Sequence, residues 1–381
     1  MNTVQVHYLL TGRSKMFINK DISKKDKIIL NKLGKDADTP VHDLMRCAHY
    51  KRKSSVYNRI RHLREENYLY GPYFNINYNA IGENKLYAIF AIAYYHTQYR
   101  NVVLKAMREI NCWTMLYPVR TTEAYLGVYR CNNWNYIASL FKMMNCWGWL
   151  KDYAVYKSEH RWVMQNPNFF GEFIPPSDFE IPSGRVPQCW YQEETPDIEF
   201  TKTDLVVLKH LSRKTCHLTE IRDLEYHYYG LKLNYHDLKR SYKRLKENNI
   251  LIKKNYLIFP LPVDMCSFFF LFTQGTDLEF HLQVISHFGK DFRLTKKFIL
   301  VGNRVVSYFM THPLLEGKIL GIIEKKLDYS RIYGIKTYPS DEMATQSFND
   351  DYFNLDCQKW VFPYSEFRKK IKEIKEKGEG T

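Results

Sequence analysis

The chain has few of the features that mark secreted, membrane or metal-binding proteins. Its eight cysteines are scattered, and no two of them form a C-x-x-C pair. This spacing argues against both a zinc site and a disulfide framework. No apolar run approaches the roughly 20 residues that a membrane span requires, and the first residues lack the apolar stretch of a signal peptide. We therefore expect a cytoplasmic protein with no membrane segment.

Signatures of catalysis are also missing. The sequence contains no H-E-x-x-H, no P-loop, no G-x-S-x-G and no G-x-G-x-x-G, and each of these patterns marks a well-defined chemistry. Its 13 histidines are spread along the whole chain, so no ligand or catalytic cluster stands out. From these absences the sequence predicts no enzymatic activity, no cofactor and no metal site.

Positive charge is abundant. Lysine and arginine number 56 against 41 acidic residues, which gives a formal net charge of +15 at pH 7. With 381 residues, 45% of them apolar, the chain can bury more than one core. A basic excess of this size favours a polyanionic partner, and double-stranded DNA is favoured over an acidic membrane surface.

The stretch from Ser54 to Leu69 predicts an amphipathic helix. Val56, Ile60 and Leu63 follow the i, i+4, i+7 spacing of one buried face, and the other faces are polar and basic. One interpretation is an ordinary surface helix with a solvated basic face. Two predicted helices precede it, however, and a strand with Gly-Pro follows. Three helices and a hairpin predict a winged helix-turn-helix over residues 23–80, after an N-terminal arm over 1–22.

Residues 81–160 show a different pattern. Apolar strands and amphipathic helices alternate there in the order β-α-β-β-α-β, which is typical of a ferredoxin-like αβ domain. The segment 161–200 is rich in proline and glycine and is predicted as a linker.

The same plan then recurs. The segment Asp204–Leu211 matches Asp26–Leu33, and Leu238, Tyr242 and Leu245 repeat the apolar stripe of the Ser54 helix. We predict a second winged helix-turn-helix over 201–262, with a hairpin at Lys253–Asn255, and a second αβ domain over 263–340. A C-terminal extension over 341–381 ends in a basic helix, which is either an arm on DNA or a solvated terminal helix. The predicted fold class is α+β, a tandem repeat of both modules.

The stretches Ser55–Leu69, Asp26–Leu33 and Ile76–Gly82 resemble the Lrp/AsnC (feast/famine) regulators of bacteria and archaea. This resemblance implies an αβ domain that dimerises through its sheet and often binds an amino acid. One chain would then be either a monomeric pseudo-dimer or part of a homodimer through the αβ domains. The loop that holds the effector in that family usually carries a Gly and an Asp. Neither copy here, at 120–124 or at 302–306, keeps the Asp, so a small-molecule effector stays open.

The two predicted reading helices and their surroundings supply the candidate DNA contacts. The sequence predicts as base-reading residues Ser54, Ser55, Asn58, Arg61, His62, His236, Arg240, Lys243 and Arg244. It predicts as phosphate-binding residues Lys51, Arg52, Lys53, Arg59, Arg64, Lys232, Lys239, Lys246, Lys253 and Lys254.

Two other classes of function stay open. The siroheme decarboxylases of heme biosynthesis use the same helix-turn-helix plus αβ architecture and work as pairs of related subunits, so a fused pair of such enzymes is the alternative function. A pure interaction or RNA-binding protein is the third class. The basic reading helices favour a sequence-specific DNA-binding transcription regulator over both.

Overall fold

The computed structural model describes residues 22–378, apart from 120–121, 159–162, 175–197, 214–216, 275–276, 302–303, 328–332 and 338–343. The predicted N-terminal arm, except Ile22, lies outside the described residues, as do most of the predicted linker and parts of both effector loops. No described helix is both long enough and apolar enough to cross a membrane.

The chain begins with three helices and one strand. These are α1 (Lys24–Lys35), α2 (Val41–Cys47), α3 (Lys53–Glu65) and β1 (Leu69–Ile76). The side chain of Ser23 caps α1 by accepting a hydrogen bond from the backbone N–H of Asp26, which satisfies one of the free donors of a helix start. Leu30 and Leu33 of α1 pack with Val56 and Leu63 of α3 in one buried cluster, as the predicted apolar stripes require.

A four-stranded antiparallel sheet follows, with two helices. Its elements and the short strand after it are β2 (Tyr87–Tyr95), α4 (Arg100–Glu109), β3 (Trp113–Val119), β4 (Ala124–Cys131), α5 (Trp134–Cys146), β5 (Leu150–Ser158) and β6 (Val163–Gln165). The strands lie in the order β5-β2-β4-β3. The element order is the predicted β-α-β-β-α-β.

The second half has the same order of elements. They are α6 (Lys202–Leu211), α7 (Leu218–Tyr229), α8 (Tyr235–Glu247), β7 (Leu251–Ile258), β8 (Ser267–Gln274), α9 (Leu278–His287), β9 (Thr295–Val301), β10 (Arg304–Thr311), α10 (Glu316–Lys326) and β11 (Tyr333–Thr337). The sheet order is β11-β8-β10-β9, which is the order of the first sheet with each strand replaced by its counterpart. The two sheets face each other, and Phe90 and Leu126 of the first lie in one buried cluster with Phe270 and Ile299 of the second.

The two predicted hairpin wings are not hairpins. β1 and β7 are single strands that pair with each other antiparallel, Leu69 opposite Ile258 and Ile76 opposite Leu251. The physical reason is that an isolated two-stranded hairpin is marginal in water, whereas the paired strands also pack on the helices. Phe74 of β1 makes an edge-to-face contact with Tyr242 of α8, at 6.1 Å between ring centroids. Each strand therefore helps to join the two helical modules.

The segments after the two sheets cross over to the opposite half. β6 pairs with β9 of the second sheet, and β12 (Ala344–Thr345) pairs with β3 of the first. Beyond β6, the side-chain amide of Asn166 donates to the backbone carbonyls of Gly34 and Tyr256, so this part of the predicted linker packs on the first helical module.

The C-terminal extension is folded onto the first αβ unit and the second helical module. Its remaining elements are β13 (Phe353–Asn354), β14 (Lys359–Trp360) and α11 (Tyr364–Gly378). The Trp360 indole is buried and donates to the backbone carbonyl of Ile81 at 2.9 Å. Phe367 and Ile371 of α11 are buried in the same cluster as α4. The terminal helix is therefore neither a free arm nor fully solvated, since its apolar side is packed and its basic side is exposed.

A cluster of charges fastens this extension to α6 and α7. Asp350 lies 2.8 Å from the Lys202 amine and 3.4 Å from that of Lys209, and Lys209 lies 3.0 Å from Glu225. The His210 ring is 2.7 Å from Glu225. Burial raises the pKa of both Asp350 and Glu225, but their cationic and hydrogen-bond partners outweigh burial, so both pKa values lie below normal.

We expect Asp350→Asn to destabilise the chain at pH 7. The substitution removes the charge-assisted contacts of this carboxylate, so we expect the free energy of unfolding to decrease by about 1–3 kcal/mol. Because the pKa of Asp350 is depressed in the folded state, its contribution is present above the unfolded pKa. It is lost as pH falls through the folded pKa, so the difference between variant and wild type should shrink below about pH 4. Urea unfolding at several pH values measures this.

Asp351→Asn is the matched control. Asp351 lies 3.5 Å from the same Lys202 amine, but its side chain is 78% exposed, so we expect a change within about 0.5 kcal/mol. Equal effects of the two substitutions at pH 7 would contradict the role assigned to the buried carboxylate.

Candidate nucleic-acid interface and a site between the sheets

The exposed face of α3 carries most of the first predicted base-reading set. Ser54, Asn58 and Arg61 are exposed, and Ser55 and His62 are partly exposed. The Arg61 guanidinium donates to the Asn58 side chain at 3.3 Å. Because this contact is exposed and long, both side chains are available to a groove ligand. The imidazole of His62 lies 3.0 Å from Glu66.

The corresponding face of α8 is more strongly cationic. His236, Arg240 and Lys243 are exposed. Arg240 forms an ion pair with Asp237 at 2.5 Å, and Lys243 lies 3.7 Å from Glu247. Such exposed pairs within one helix contribute little stability, so a phosphate or base edge can replace them.

Two predicted DNA contacts are instead internal anchors. The Arg59 guanidinium donates to both carboxylate oxygens of Asp26, at 2.5 and 2.7 Å, and the Asp26 side chain is fully buried. The hydrogen bond with Asp26 raises the pKa of Arg59. In the second module, Arg244 forms an ion pair with the buried Asp204, which also accepts from Ser241 at 2.6 Å.

These anchors fix the reading helices on α1 and α6. Both aspartates stand three residues after the Ser or Thr that caps their helix. The sequence gives no separate signal that each carboxylate also binds the third helix of its module. Asp26 binds one residue of α3, Arg59. Asp204 binds two residues of α8, Ser241 and Arg244, which lie one turn apart.

Most of the predicted phosphate-binding residues are exposed cations near the reading helices. This set contains Lys51, Arg52, Lys53, Arg64, Lys232, Lys239, Lys246 and Lys253. Lys254 of β7 lies 3.1 Å from Asp38 and so links the strand to the first module. Arg64 lies 3.4 Å from the Tyr256 hydroxyl.

The strand pair between the modules has a pseudo-twofold register. The residues of β7 equivalent to Leu69 and Ile76 are Leu251 and Ile258, since 251 − 69 and 258 − 76 are both 182. Exchanging each residue for its equivalent therefore turns the pair Leu69–Ile258 into the pair Leu251–Ile76, and both pairs are observed. This register is what a twofold rotation between the two strands would give.

A second candidate site lies between the two sheets, and sequence reasoning missed it. Lys297 of β9 pairs with Met164 and with Tyr308, and paired residues on antiparallel strands share a face. Ile299, two residues further along β9, packs between the sheets, so Lys297 faces the same space. Its amine lies 5.6 Å from the ring centroid of Tyr73. Burial lowers the pKa of Lys297 to about 8.

No cluster of three or more His, Cys, Asp or Glu side chains that could hold a metal ion occurs within the described ranges. The candidate chemistry is therefore that of the two cationic helix faces and of the Lys297 side chain.

Comparison with known proteins gives structural similarities only. No family model matches the sequence, and no curated protein matches it. Among solved structures, the chain is similar to the siroheme decarboxylase NirDL, with a TM-score of 0.47 and 12% identity over 94% of this chain and 100% of that chain. A second structure of NirDL, in complex with an iron-uroporphyrin III analogue, gives 0.47 and 12% over 92% of this chain and 98% of that one.

Transcription regulators are also similar, over a smaller part of the chain. The leucine response regulatory protein LrpA of Mycobacterium tuberculosis matches with a TM-score of 0.28 and 20% identity, over 36% of this chain and 90% of its own. The regulator NMB0573 of Neisseria meningitidis, solved with L-Met, matches with 0.29 and 12% over 36% and 89%. The structural neighbours thus include both classes named in the functional predictions, Lrp-type regulators and a siroheme decarboxylase.

The prediction that the chain is not an enzyme is overturned by these comparisons, because the structure matched over 94% of the chain is an enzyme. Two functions are predicted from the sequence. The siroheme decarboxylase, which corresponds to the alternative one, matches 94% of this chain, whereas the regulator LrpA matches 36%. The physical reason for the difference is that the prediction used the missing catalytic motifs and the charge of the outer helix faces. That charge says nothing about the space between the sheets, where Lys297 lies.

Proposed function

We propose that the chain is a sequence-specific double-stranded-DNA-binding transcription regulator in which one chain acts as a pseudo-dimer. The observation that supports this proposal is the pseudo-twofold strand pair β1–β7, which joins two helices with exposed cationic faces. In this proposal the chain is a tandem duplication, with helix-turn-helix units over 23–80 and 201–262 and αβ domains over 81–160 and 263–340. The strands β1 and β7 pair with each other in place of hairpin wings.

The two reading helices would recognise unlike half-sites. Asn58 has the donor and acceptor geometry for a bidentate pair with adenine, whereas Arg240 suits the O6 and N7 atoms of guanine. The exposed lysines and arginines around them would bind phosphates, which contribute affinity without sequence preference. Arg59 and Arg244 would act as positioning residues, because their guanidinium groups are held by buried aspartates.

Arg61 and Arg59 provide a matched pair of substitutions on one helix. Arg61→Met should weaken binding of duplex DNA by about 1–3 kcal/mol and leave the melting temperature unchanged, since its side chain is 70% exposed. Arg59→Met should lower the free energy of unfolding by about 2–3 kcal/mol, because Asp26 stays buried without its cation. Fluorescence anisotropy and thermal unfolding separate the two effects. An Arg61→Met protein that binds DNA as the wild type does would count against the assigned face.

Selection of bound DNA from a random pool tests the two half-sites. The wild type should select an imperfect palindrome whose half-sites are about one turn, roughly 34 Å, apart. Asn58→Ala should relax one half-site and Arg240→Ala the other, each by about 1–3 kcal/mol of discrimination. A symmetric motif selected by a protein that stays monomeric on DNA would contradict the proposal.

A second candidate function is an enzyme that resembles a fused siroheme decarboxylase. The specific observation that favours it is Lys297, a cation facing the space between the sheets, because a substrate carboxylate needs such a group there. This function uses a different part of the molecule from the DNA-binding faces.

Titration with iron-uroporphyrin III tests this second function. We expect a shift of the Soret band at micromolar protein, followed by loss of carbon dioxide from the bound tetrapyrrole if the chain is a decarboxylase. Mass spectrometry of the extracted pigment measures the second step. An unshifted spectrum with no change in pigment mass would remove this candidate and leave the DNA-binding proposal untouched.

A further inference from the structure

We propose that Lys297, together with Tyr73, Met164 and Tyr308, forms a binding site for the carboxylate of one flat aromatic ligand per chain. The inference needs no DNA binding. It deepens the second candidate function by naming the residue and the ligand class, but it requires binding alone and not turnover.

The site is built by four separate elements. Met164 on β6, Lys297 on β9 and Tyr308 on β10 form one row across the second sheet. Tyr73 of β1 covers this row, because its ring lies 5.6 Å from the Lys297 amine and its hydroxyl donates to the Met164 sulfur at 3.2 Å. The ring of Tyr308 is tilted against that of Phe270 at 4.6 Å and stacks on that of Phe268 at 6.0 Å. The lysine therefore lies beside the Tyr73 ring, in a row that also contains Tyr308.

The Lys297 amine has no hydrogen bond or ion pair with any residue that the structure describes. Its chain neighbour is a useful contrast. Lys296 points to the opposite face, is fully buried, and donates to the backbone carbonyls of Ile285, Ser286 and Phe288 at the end of α9. Lys296 thus has a structural role, whereas Lys297 keeps a cation in a partly buried aromatic setting without a counter-charge. Such a group favours an anion.

The equivalent row in the first sheet lacks this chemistry. There Met115 of β3 pairs with Thr345 of β12 and with Val128 of β4. Lys297 thus corresponds to Met115, and Tyr308 corresponds to Val128. In the strand pair, the counterpart of Tyr73 is Asn255, which is also its pairing partner. The two halves share a backbone plan but differ here, so one ligand per chain is expected.

The chemistry of the walls defines the ligand. Tyr73 and Tyr308 make the site aromatic, Met164 offers a polarizable sulfur, and Lys297 offers one positive charge. A flat aromatic body with one carboxylate satisfies all three. Lys297 keeps partial exposure to solvent, which gives the carboxylate access. A small aromatic acid and one carboxylate of a porphyrin both have this chemistry. Separate titrations with a ligand of each kind distinguish them.

Binding should depend on pH through Lys297. Among the described residues, the titratable groups near the row of Lys297 and Tyr308 include three phenols and one thiol. Burial raises the pKa of Tyr73 and Tyr308, and it raises the pKa of Tyr117 and Cys266 to about 12. All four stay protonated between pH 6 and about 10. An anion raises the pKa of the Lys297 amine, so binding takes up protons near pH 8 and weakens above it.

The test uses 1-naphthoate as the aromatic acid and iron-uroporphyrin III as the porphyrin, each titrated calorimetrically into the full-length protein. At pH 7 we expect one equivalent of 1-naphthoate per chain, with at least about tenfold weaker binding at pH 10. Lys297→Met, which installs the residue found at the equivalent position 115, should weaken binding about tenfold or more. Lys157→Met is the matched control. Lys157 lies 3.9 Å from the Tyr87 ring centroid but is exposed, so binding should be unchanged.

Thermal unfolding of the same variants separates a binding role from a structural one. Removal of an unpaired, partly buried cation should leave the melting temperature of Lys297→Met equal to or above that of the wild type. A clear decrease in melting temperature, equal affinities of Lys297→Met and wild type, or two equivalents per chain would each overturn the proposal. Tight 1-naphthoate binding without any porphyrin binding keeps the site and identifies a small acid as its ligand, while the second candidate function fails.

Discussion

The antiparallel pairing of β1 with β7 is the contact on which the remaining arrangement depends. Neither strand has another partner in the described structure, so each would present unpaired backbone groups without the other. Their pairing joins the two helical modules. The segments after the two sheets cross over in the same way: β6, which follows the first sheet, pairs with β9 of the second, and β12, which follows the second sheet, pairs with β3 of the first.

Buried aspartates set the orientation of the reading helices within this frame. Asp26 and Asp204 each sit at a helix start, where the free N–H groups favour a carboxylate, and each also binds the helix that crosses above. One side chain therefore fixes both the start of the first helix and the rotation of the third. Since that rotation decides which residues face outward, the composition of the exposed faces depends on an internal ion pair. The proposed DNA contacts of Asn58 and Arg240 rest on it.

The local elements could be predicted from the sequence, because periodicity is a local property. The order β-α-β-β-α-β, predicted for residues 81–160 and again for the second αβ domain, is the order of elements in the structure. The strand pairing between modules could not be predicted, since Gly71-Pro72 and Lys253–Asn255 look like turn signals until a distant partner strand is known. Lys297 gave no signal either. In the run Lys296-Lys297-Phe298 two adjacent lysines suggest an exposed strand, yet one caps a helix and the other faces the opposite sheet.

The two halves diverge most where they face each other. On the outer surface, α3 and α8 both have basic faces, so both halves suit a polyanionic partner. Inside, the row Met164, Lys297 and Tyr308 faces the space in which the first half places Thr345, Met115 and Val128. A partly buried lysine without a counter-charge among the described residues favours an anion, whereas the first half has a methionine at the equivalent position. The proposed ligand would supply that anion. A ligand held between the sheets would also touch Tyr73, and through β1 it would contact the strand pair that orients both reading helices.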